Sequence, residues 1–124
     1  MNKFIYLIKA AAHRGPLSPV QMQDYLQKWL SWVETLKGSH TLIFNEPLEP
    51  AGKQINGKYK SVSDAVHANQ EDTIIGIFLI KAGNMDSAIE IAKGCPIFEI
   101  DGGIEVKLIR NINAPCTGSV TSEG

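Results

Sequence analysis

Residues 73–81, TIIGIFLIK, decide the fold of this 124-residue chain. The β-branched and aromatic side chains of this stretch favour a strand. Successive side chains of a strand point to opposite faces, and here both faces are apolar. We therefore expect a sheet strand that is covered on both sides.

A second strand of the same kind is predicted upstream, at residues 3–10, KFIYLIKA. Between the two, Ser18 and Pro19 supply an N-cap and the fixed φ that suits a first helical residue. The helix is expected to end at Gly38, which would serve as its C-terminal cap. Its buried stripe is predicted from apolar residues at three- and four-residue spacing: Met22, Tyr25, Leu26, Trp29, Trp32, Val33 and Leu36.

Two further elements are predicted before the decisive segment. The first is a strand over residues 40–46, which Pro47 ends, and the second is a hairpin. The hairpin joins residues 53–55 to residues 58–62 through Asn56-Gly57, a pair typical of tight two-residue turns. Residues 63–72 are expected to form a polar loop.

After the decisive segment, Asn84 is predicted to cap a short helix, which Gly94 and Pro96 would end. Residues 104–109, IEVKLI, alternate apolar and charged side chains and predict a last strand with one apolar face.

This order predicts an α+β protein, a ferredoxin-like βαββαβ unit with an inserted hairpin. Both helices would cover one face of an antiparallel sheet and leave the other face, also apolar, uncovered. We expect a homodimer that buries one sheet against another. The alternative is that the hairpin and the tail fold over this face. Residues 1–112 are expected to form the domain, and residues 113–124 a polar, flexible tail.

The composition indicates a single globular domain, with 44% hydrophobic and 20% charged residues. Twelve basic against thirteen acidic residues give a net charge of −1, which argues against direct nucleic-acid binding. No signal peptide or membrane span is recognisable, and Cys95 and Cys116 are interpreted as free thiols in the cytoplasm. We expect no metal and no cofactor, because metal-ligand spacing and phosphate-binding glycine patterns are absent from the sequence.

From about residue 3 to residue 110 the chain resembles the YCII-related, or DGPF-domain, family. The resemblance rests on the order of several marks: the KFIYLI strand, the Leu17-Ser18-Pro19 helix start, the Glu46-Pro47-Leu48-Glu49-Pro50-Ala51 segment, the Gly76 strand, the 86–92 helix with Pro96, and Ile104-Glu105-Val106-Lys107. It implies a dimeric α+β barrel built from ferredoxin-like protomers.

The chain departs from this family at its site residues. Where the family has Asp-Gly-Pro-Phe, this sequence has Asp64-Ala65-Val66-His67. Short relatives are credited with a His–Asp pair whose histidine lies on the first helix, but residues 18–37 contain no histidine. The resemblance therefore carries over only Asp64 as a site residue.

Acid–base catalysis is predicted from Asp64 with His13 or His67. A carboxylate that accepts the proton of one imidazole nitrogen would fix the tautomer, leaving the other nitrogen as a general base. The alternative is that Asp64 caps a turn and that both histidines are solvated loop residues.

Arg14, Tyr6, Glu105 and Lys107 are candidate ligand-binding residues. Arg14 follows His13, while Glu105 and Lys107 share the polar face of the last strand and could line a cavity. The alternatives are a core position for Tyr6 and a solubilising role for the two charged residues.

The sequence thus favours a cytoplasmic homodimer that binds a small, partly apolar molecule in a cleft beside the sheet, with acid–base chemistry of lyase or isomerase type. The alternative is a non-catalytic interaction or sensing module, since some relatives are associated with transcription initiation factors.

Overall fold

The computed structural model describes residues 1–10, 17–49, 51–64 and 73–110. Its described part is a mixed α+β structure. The elements in chain order are β1 (Asn2–Lys9), α1 (Pro19–Gly38), β2 (Leu42–Pro47), β3 (Lys53–Asn56), β4 (Ser61–Asp64), β5 (Ile74–Ala82), α2 (Met85–Ala92), a 3₁₀ helix (Pro96–Ile100) and β6 (Gly103–Leu108).

Four strands form one antiparallel sheet in the order β2-β5-β1-β6, and β3 pairs with β4 separately. With one helix after β1 and one after β5, this order is compatible with a ferredoxin-like fold into which the β3–β4 hairpin is inserted. The decisive segment forms β5, a central strand of this sheet, in agreement with its two apolar faces.

One face of the sheet carries the core. Tyr6 lies opposite Phe78 in the register of β1 and β5, and both are buried against the helices. The buried cluster combines side chains from this sheet face, from both α-helices and from the 3₁₀ helix: Phe4, Tyr6, Ile8, Trp32, Leu36, Phe78, Ile80, Ala82, Ala88, Ala92, Cys95 and Ile97. Both helices thus cover the same face.

Both predicted N-caps are confirmed. The Ser18 hydroxyl accepts the Gln21 backbone N–H at 3.1 Å, and the Asn84 side chain accepts the Ser87 backbone N–H at 2.8 Å. The predicted Gly38 cap is corrected: Gly38 is still helical, and His40 takes the left-handed conformation with φ of 58°. Histidine is among the residues enriched at such positions.

The hairpin turn also differs from the prediction. Asn56 pairs with Ser61, so four residues separate the strands instead of two. Gly57 and Lys60 adopt positive φ angles, and the Lys60 N–H donates to the Gly57 carbonyl at 3.0 Å. As a result β4 extends to Asp64, which the sequence placed in a loop.

The opposite sheet face is partly exposed. Ile5 lies opposite Leu79 and Leu7 opposite Ile77, and all four side chains are half-buried. In the described chain, every residue of β3 and β4 is exposed, so the hairpin strands bury none of their side chains.

The 3₁₀ helix was not predicted from the sequence. Its segment PIFEI is too short to show a helical period, yet it inserts Ile97 into the core. Neither α1 nor α2 is long and apolar enough to cross a membrane, within the residues described.

Candidate functional site

A cavity of about 550 Å³ lies between the middle of α1 and the helix-covered face of the sheet. Its volume is within the usual range of small-molecule sites. The described lining residues come from β1, α1, β2 and β5: Ile8, Leu26, Trp29, Leu30, Val33, Asn45, Glu46, Pro47, Ile75, Gly76 and Phe78.

Helix α1 forms the outer wall. Leu26 and Leu30 are one helical turn apart and remain 51% and 59% exposed. Deeper in the wall, Val33 and Trp29 pack against the core. The apolar stripe of α1 is thus wider than the core beneath it, and the surplus apolar surface lines the cavity.

Aromatic rings form the inner wall. The rings of Trp29 and Phe78 are stacked, with centroids 6.1 Å apart. Trp32 packs against both rings, at 5.9 Å from Trp29 and 5.0 Å from Phe78, and its indole stacks on Tyr6 at 6.5 Å. This network holds the cavity's two rings in a fixed position.

The floor is formed where β2 meets β5, with Pro47 opposite Gly76. An ideal Cβ atom on Gly76 would lie 3.5 Å from the Glu46 carbonyl oxygen and 3.8 Å from Ile8 Cβ. These are ordinary van der Waals distances. The absence of a side chain at Gly76 therefore leaves space on the cavity floor that an alanine side chain could occupy without a clash.

The register of β2 and β5 makes the described lining of the cavity mostly apolar. Asn45 lies opposite buried Phe78 and so faces the helices, whereas Glu46 lies opposite Ile77 on the other sheet face. Of the described lining residues, Asn45 alone therefore supplies a polar side chain from this sheet face. Its carboxamide can both donate and accept a hydrogen bond.

Three candidate residues, His13, Arg14 and His67, lie outside the described residues. His67 follows Asp64, the last described residue before it, by three positions. The described residues Ala10 and Thr73 are joined, because the Ala10 N–H donates to the Thr73 carbonyl at 2.9 Å. In sequence, His13 follows Ala10 by three positions and His67 precedes Thr73 by six.

Asp64 lies at the end of β4, and its side chain is 68% exposed. Its carboxylate pairs with Lys53 across the hairpin, with an oxygen 2.5 Å from Lys53 Nζ. The ion pair joins the two outer ends of the hairpin strands. Asp64 is not among the described residues that line the cavity.

Tyr6 is fully buried, and its hydroxyl donates to the Ala88 carbonyl at 2.5 Å. Glu105 and Lys107 lie on the sheet face opposite the helices, across from Leu7 and Ile5 respectively. A Glu105 oxygen lies 3.6 Å from Lys9 Nζ and the other lies 3.6 Å from Lys107 Nζ. These two residues thus border the apolar centre of that face.

Cys95 is a free, buried thiol, and burial raises its pKa to about 12. A thiol of this kind is a poor nucleophile at neutral pH. Within the described ranges, no group of three or more histidine, cysteine, aspartate or glutamate residues is arranged to hold a metal ion.

Sequence reasoning missed Leu30, Asn45 and Gly76 as cavity residues. The sequence carries a signal for two of these residues. Leu30 follows Leu26 by four positions although it lies outside the predicted stripe, and Gly76 interrupts an otherwise apolar strand. No local signal marks Asn45, because only strand pairing brings it to the cavity.

No family model matches this chain, and no curated protein matches it. Among solved structures, it is similar to 5-chloro-2-hydroxyhydroquinone dehydrochlorinase from Burkholderia phenoliruptrix AC1100, in complex with 2,5-dihydroxybenzoquinone. The TM-score is 0.49 and the sequence identity 14%, and the match covers 87% of this chain and 93% of that chain.

Proposed function

We propose that this protein is a homodimer that binds a small, partly apolar molecule in the cavity between α1 and the sheet. The observation that carries this proposal is the cavity itself, about 550 Å³ of space whose described lining has an apolar wall and one polar side chain, Asn45, on the sheet face. Apolar side chains without packing partners favour a ligand that removes their surface from water.

The homodimer is proposed from the partly exposed sheet face opposite the helices. Ile5, Leu7, Ile77 and Leu79 form an apolar centre on two adjacent strands, with charged residues at its border. A second copy offers the same surface, which satisfies the self-complementarity of a two-fold interface. Sheets pack face to face in this way in many proteins.

The hairpin supports the same dimer. Ile55 and Val62 lie opposite each other on one face of the hairpin, and both are exposed. A two-stranded hairpin alone in water is only marginally stable, so packing against another surface would stabilise it. We propose that this surface belongs to the second copy.

Membership of the YCII-related family and acid–base chemistry are the finer parts of the proposal. The chemistry would use Asp64 with His13 or His67, in the roles of orienting carboxylate and general base. Arg14 would contribute to ligand binding. The Ala10–Thr73 hydrogen bond supports this proposal, because it joins the chain ends that lead towards His13 and His67.

A non-catalytic interaction module is the second candidate. One observation favours it: Asp64 is exposed and already engaged by Lys53, outside the cavity lining. In that case the exposed hairpin would contact a protein partner.

The binding proposal is tested by filling the cavity from its outer wall. Leu30→Trp places an indole at the cavity, whereas Val20→Trp makes a comparable change on an exposed part of α1 outside the lining. Saturation-transfer NMR with 2-naphthol and decahydro-2-naphthol should detect binding to the wild type and to Val20→Trp, but not to Leu30→Trp. Failure of both compounds to bind the wild type, or equal binding to Leu30→Trp, would disprove the proposed site.

A further inference from the structure

We propose that the cavity takes an uncharged aromatic molecule, and that Gly76 sets the size of ligand that the cavity admits. This inference rests on the proposed function and specifies its ligand class.

The first argument concerns the glycine. Gly76 lies inside β5, where glycine is unfavourable because it packs no side chain and loses more backbone entropy than other residues. Its φ is not in the left-handed region: among described glycines, only Gly57 is. A Cβ atom would meet its neighbours at 3.5 Å and 3.8 Å, so alanine fits without a clash.

The fold of the described chain therefore does not require glycine at position 76. A strand glycine without a conformational reason is typical of a site where a ligand approaches the backbone closely. Gly76 is buried and lines the cavity floor, where a side chain would take up ligand space.

The second argument concerns charge. On the cavity's sheet face, the described polar side chain is the neutral Asn45. The described lining contains no lysine, arginine or histidine, and its one acidic residue, Glu46, lies opposite Ile77 and so faces the other side of the sheet. Transfer of an unpaired charge into such surroundings is costly. An uncharged ligand with one group that hydrogen-bonds to the Asn45 carboxamide fits this lining.

The third argument concerns the rings. Trp29 and Phe78 border the cavity, and packing against Trp32 holds both rings in place. Rings that are already fixed lose little conformational entropy when a ligand packs against them. Aromatic pairs also gain energy beyond area burial, which favours an aromatic ligand over a saturated ligand of the same size.

Calorimetric titration with three matched compounds at pH 7 tests the ligand class. 2-Naphthol is uncharged and aromatic, 2-naphthoate has the same rings with a carboxylate, and decahydro-2-naphthol is uncharged and saturated. We expect 2-naphthol to bind about three-fold more tightly than the saturated compound. We expect 2-naphthoate to bind at least about ten-fold more weakly than 2-naphthol.

Variants at position 76 test the size limit. Gly76→Ala and Gly76→Val should weaken 2-naphthol binding progressively, with the valine variant weakened roughly ten-fold or more. Gly83→Ala is the matched control, because its Cβ would meet nothing within 4 Å and Gly83 does not line the cavity. The thermal unfolding midpoint of Gly76→Ala should equal or exceed that of the wild type, since alanine suits a strand better than glycine.

The outcomes separate this inference from the proposed function. If neither uncharged compound binds the wild type, the proposed function fails. If they bind but the Gly76 variants bind equally well, or if 2-naphthoate binds as tightly as 2-naphthol, only the present inference is overturned. A fall in the unfolding midpoint of Gly76→Ala that accounts for its loss of binding would also overturn it, because the glycine would then be structural.

Discussion

The Tyr6 hydroxyl donates a 2.5 Å hydrogen bond to the Ala88 carbonyl and so joins β1 to α2 inside the core. Tyr6 is fully buried, and burial raises the pKa of its hydroxyl, with the nearby Cys95 adding to the effect. The hydroxyl therefore stays protonated and serves as a donor at all physiological pH values.

Removal of this hydroxyl should destabilise the protein. Tyr6→Phe keeps the ring but loses the hydrogen bond, at an expected cost of about 1 kcal/mol in the free energy of unfolding. Urea unfolding followed by circular dichroism measures this cost. Tyr59→Phe removes the same group from an exposed turn residue and should have almost no effect. Equal unfolding free energies for Tyr6→Phe and the wild type would contradict the structural role.

Gly102 should not tolerate a side chain. A Cβ atom there would lie 2.8 Å from the Lys9 carbonyl oxygen and would also overlap the Ile97 side chain. We expect Gly102→Ala to lower the free energy of unfolding by roughly 1–3 kcal/mol, the usual cost of overpacking. Chemical denaturation measures the change. Gly38→Ala, where a Cβ meets nothing within 4 Å, is the control and should not show this loss.

Stability should fall as the pH rises above about 9. Burial raises the pKa of Cys95 from 9.0 to about 12, so between these values the folded thiol stays neutral while the unfolded thiol ionises. The unfolded state then binds fewer protons, and the free energy of unfolding decreases with pH. Tyr6, whose pKa is also raised, contributes with the same sign at higher pH.

Denaturation curves between pH 7 and pH 11 test this dependence. The Cys95→Ala variant should lose less stability over the same interval than the wild type does, because it lacks the thiol. Parallel pH profiles for the two proteins would show that Cys95 is not the group responsible.

The sheet face opposite the helices should hold the dimer together. Ile77→Lys places a charge at its apolar centre, opposite Leu7, and should convert the dimer to a monomer. Light scattering should give twice the 13.6 kDa chain mass for the wild type and one chain mass for the variant. Val20→Lys, on the exposed side of α1, should remain dimeric. A monomeric wild type would disprove the dimer.

The proposed acid–base pair is tested by titration of the histidines. If Asp64 orients His13 or His67, its negative charge favours the imidazolium, and Asp64→Asn should lower the pKa of that histidine. NMR titration of the imidazole carbons follows all three histidines. Lys53→Gln breaks the same Lys53–Asp64 ion pair but keeps the carboxylate, so it should not lower that pKa.

Both variants should remain folded, because exposed ion pairs stabilise proteins by less than about 1 kcal/mol. Unchanged titration of His13 and His67 in Asp64→Asn would remove the catalytic pair and favour the interaction module.

Local sequence properties predicted both α-helices with their N-caps and the four strands of the main sheet, but not the 3₁₀ helix, the C-terminal cap of α1 or the hairpin turn. β-Branched and aromatic residues with apolar side chains on both faces predicted β1 and β5, and short polar side chains at Ser18 and Asn84 predicted where the helices begin. The two-sided strands also predicted that the sheet carries apolar side chains on its second face. The prediction failed at the hairpin turn, where four residues separate the strands and Gly57 and Lys60 both adopt positive φ angles.

The candidate site could not be predicted from local sequence, because it forms through contacts between distant elements. The cavity depends on how α1 is oriented, because apolar side chains that extend past the core form its outer wall. It also depends on the register that sets Asn45 opposite Phe78 and Pro47 opposite Gly76. These contacts join residues about thirty positions apart, and no local pattern encodes them. Local sequence specifies the elements because neighbouring residues determine backbone preferences, whereas a binding cavity is the space left after distant elements have packed.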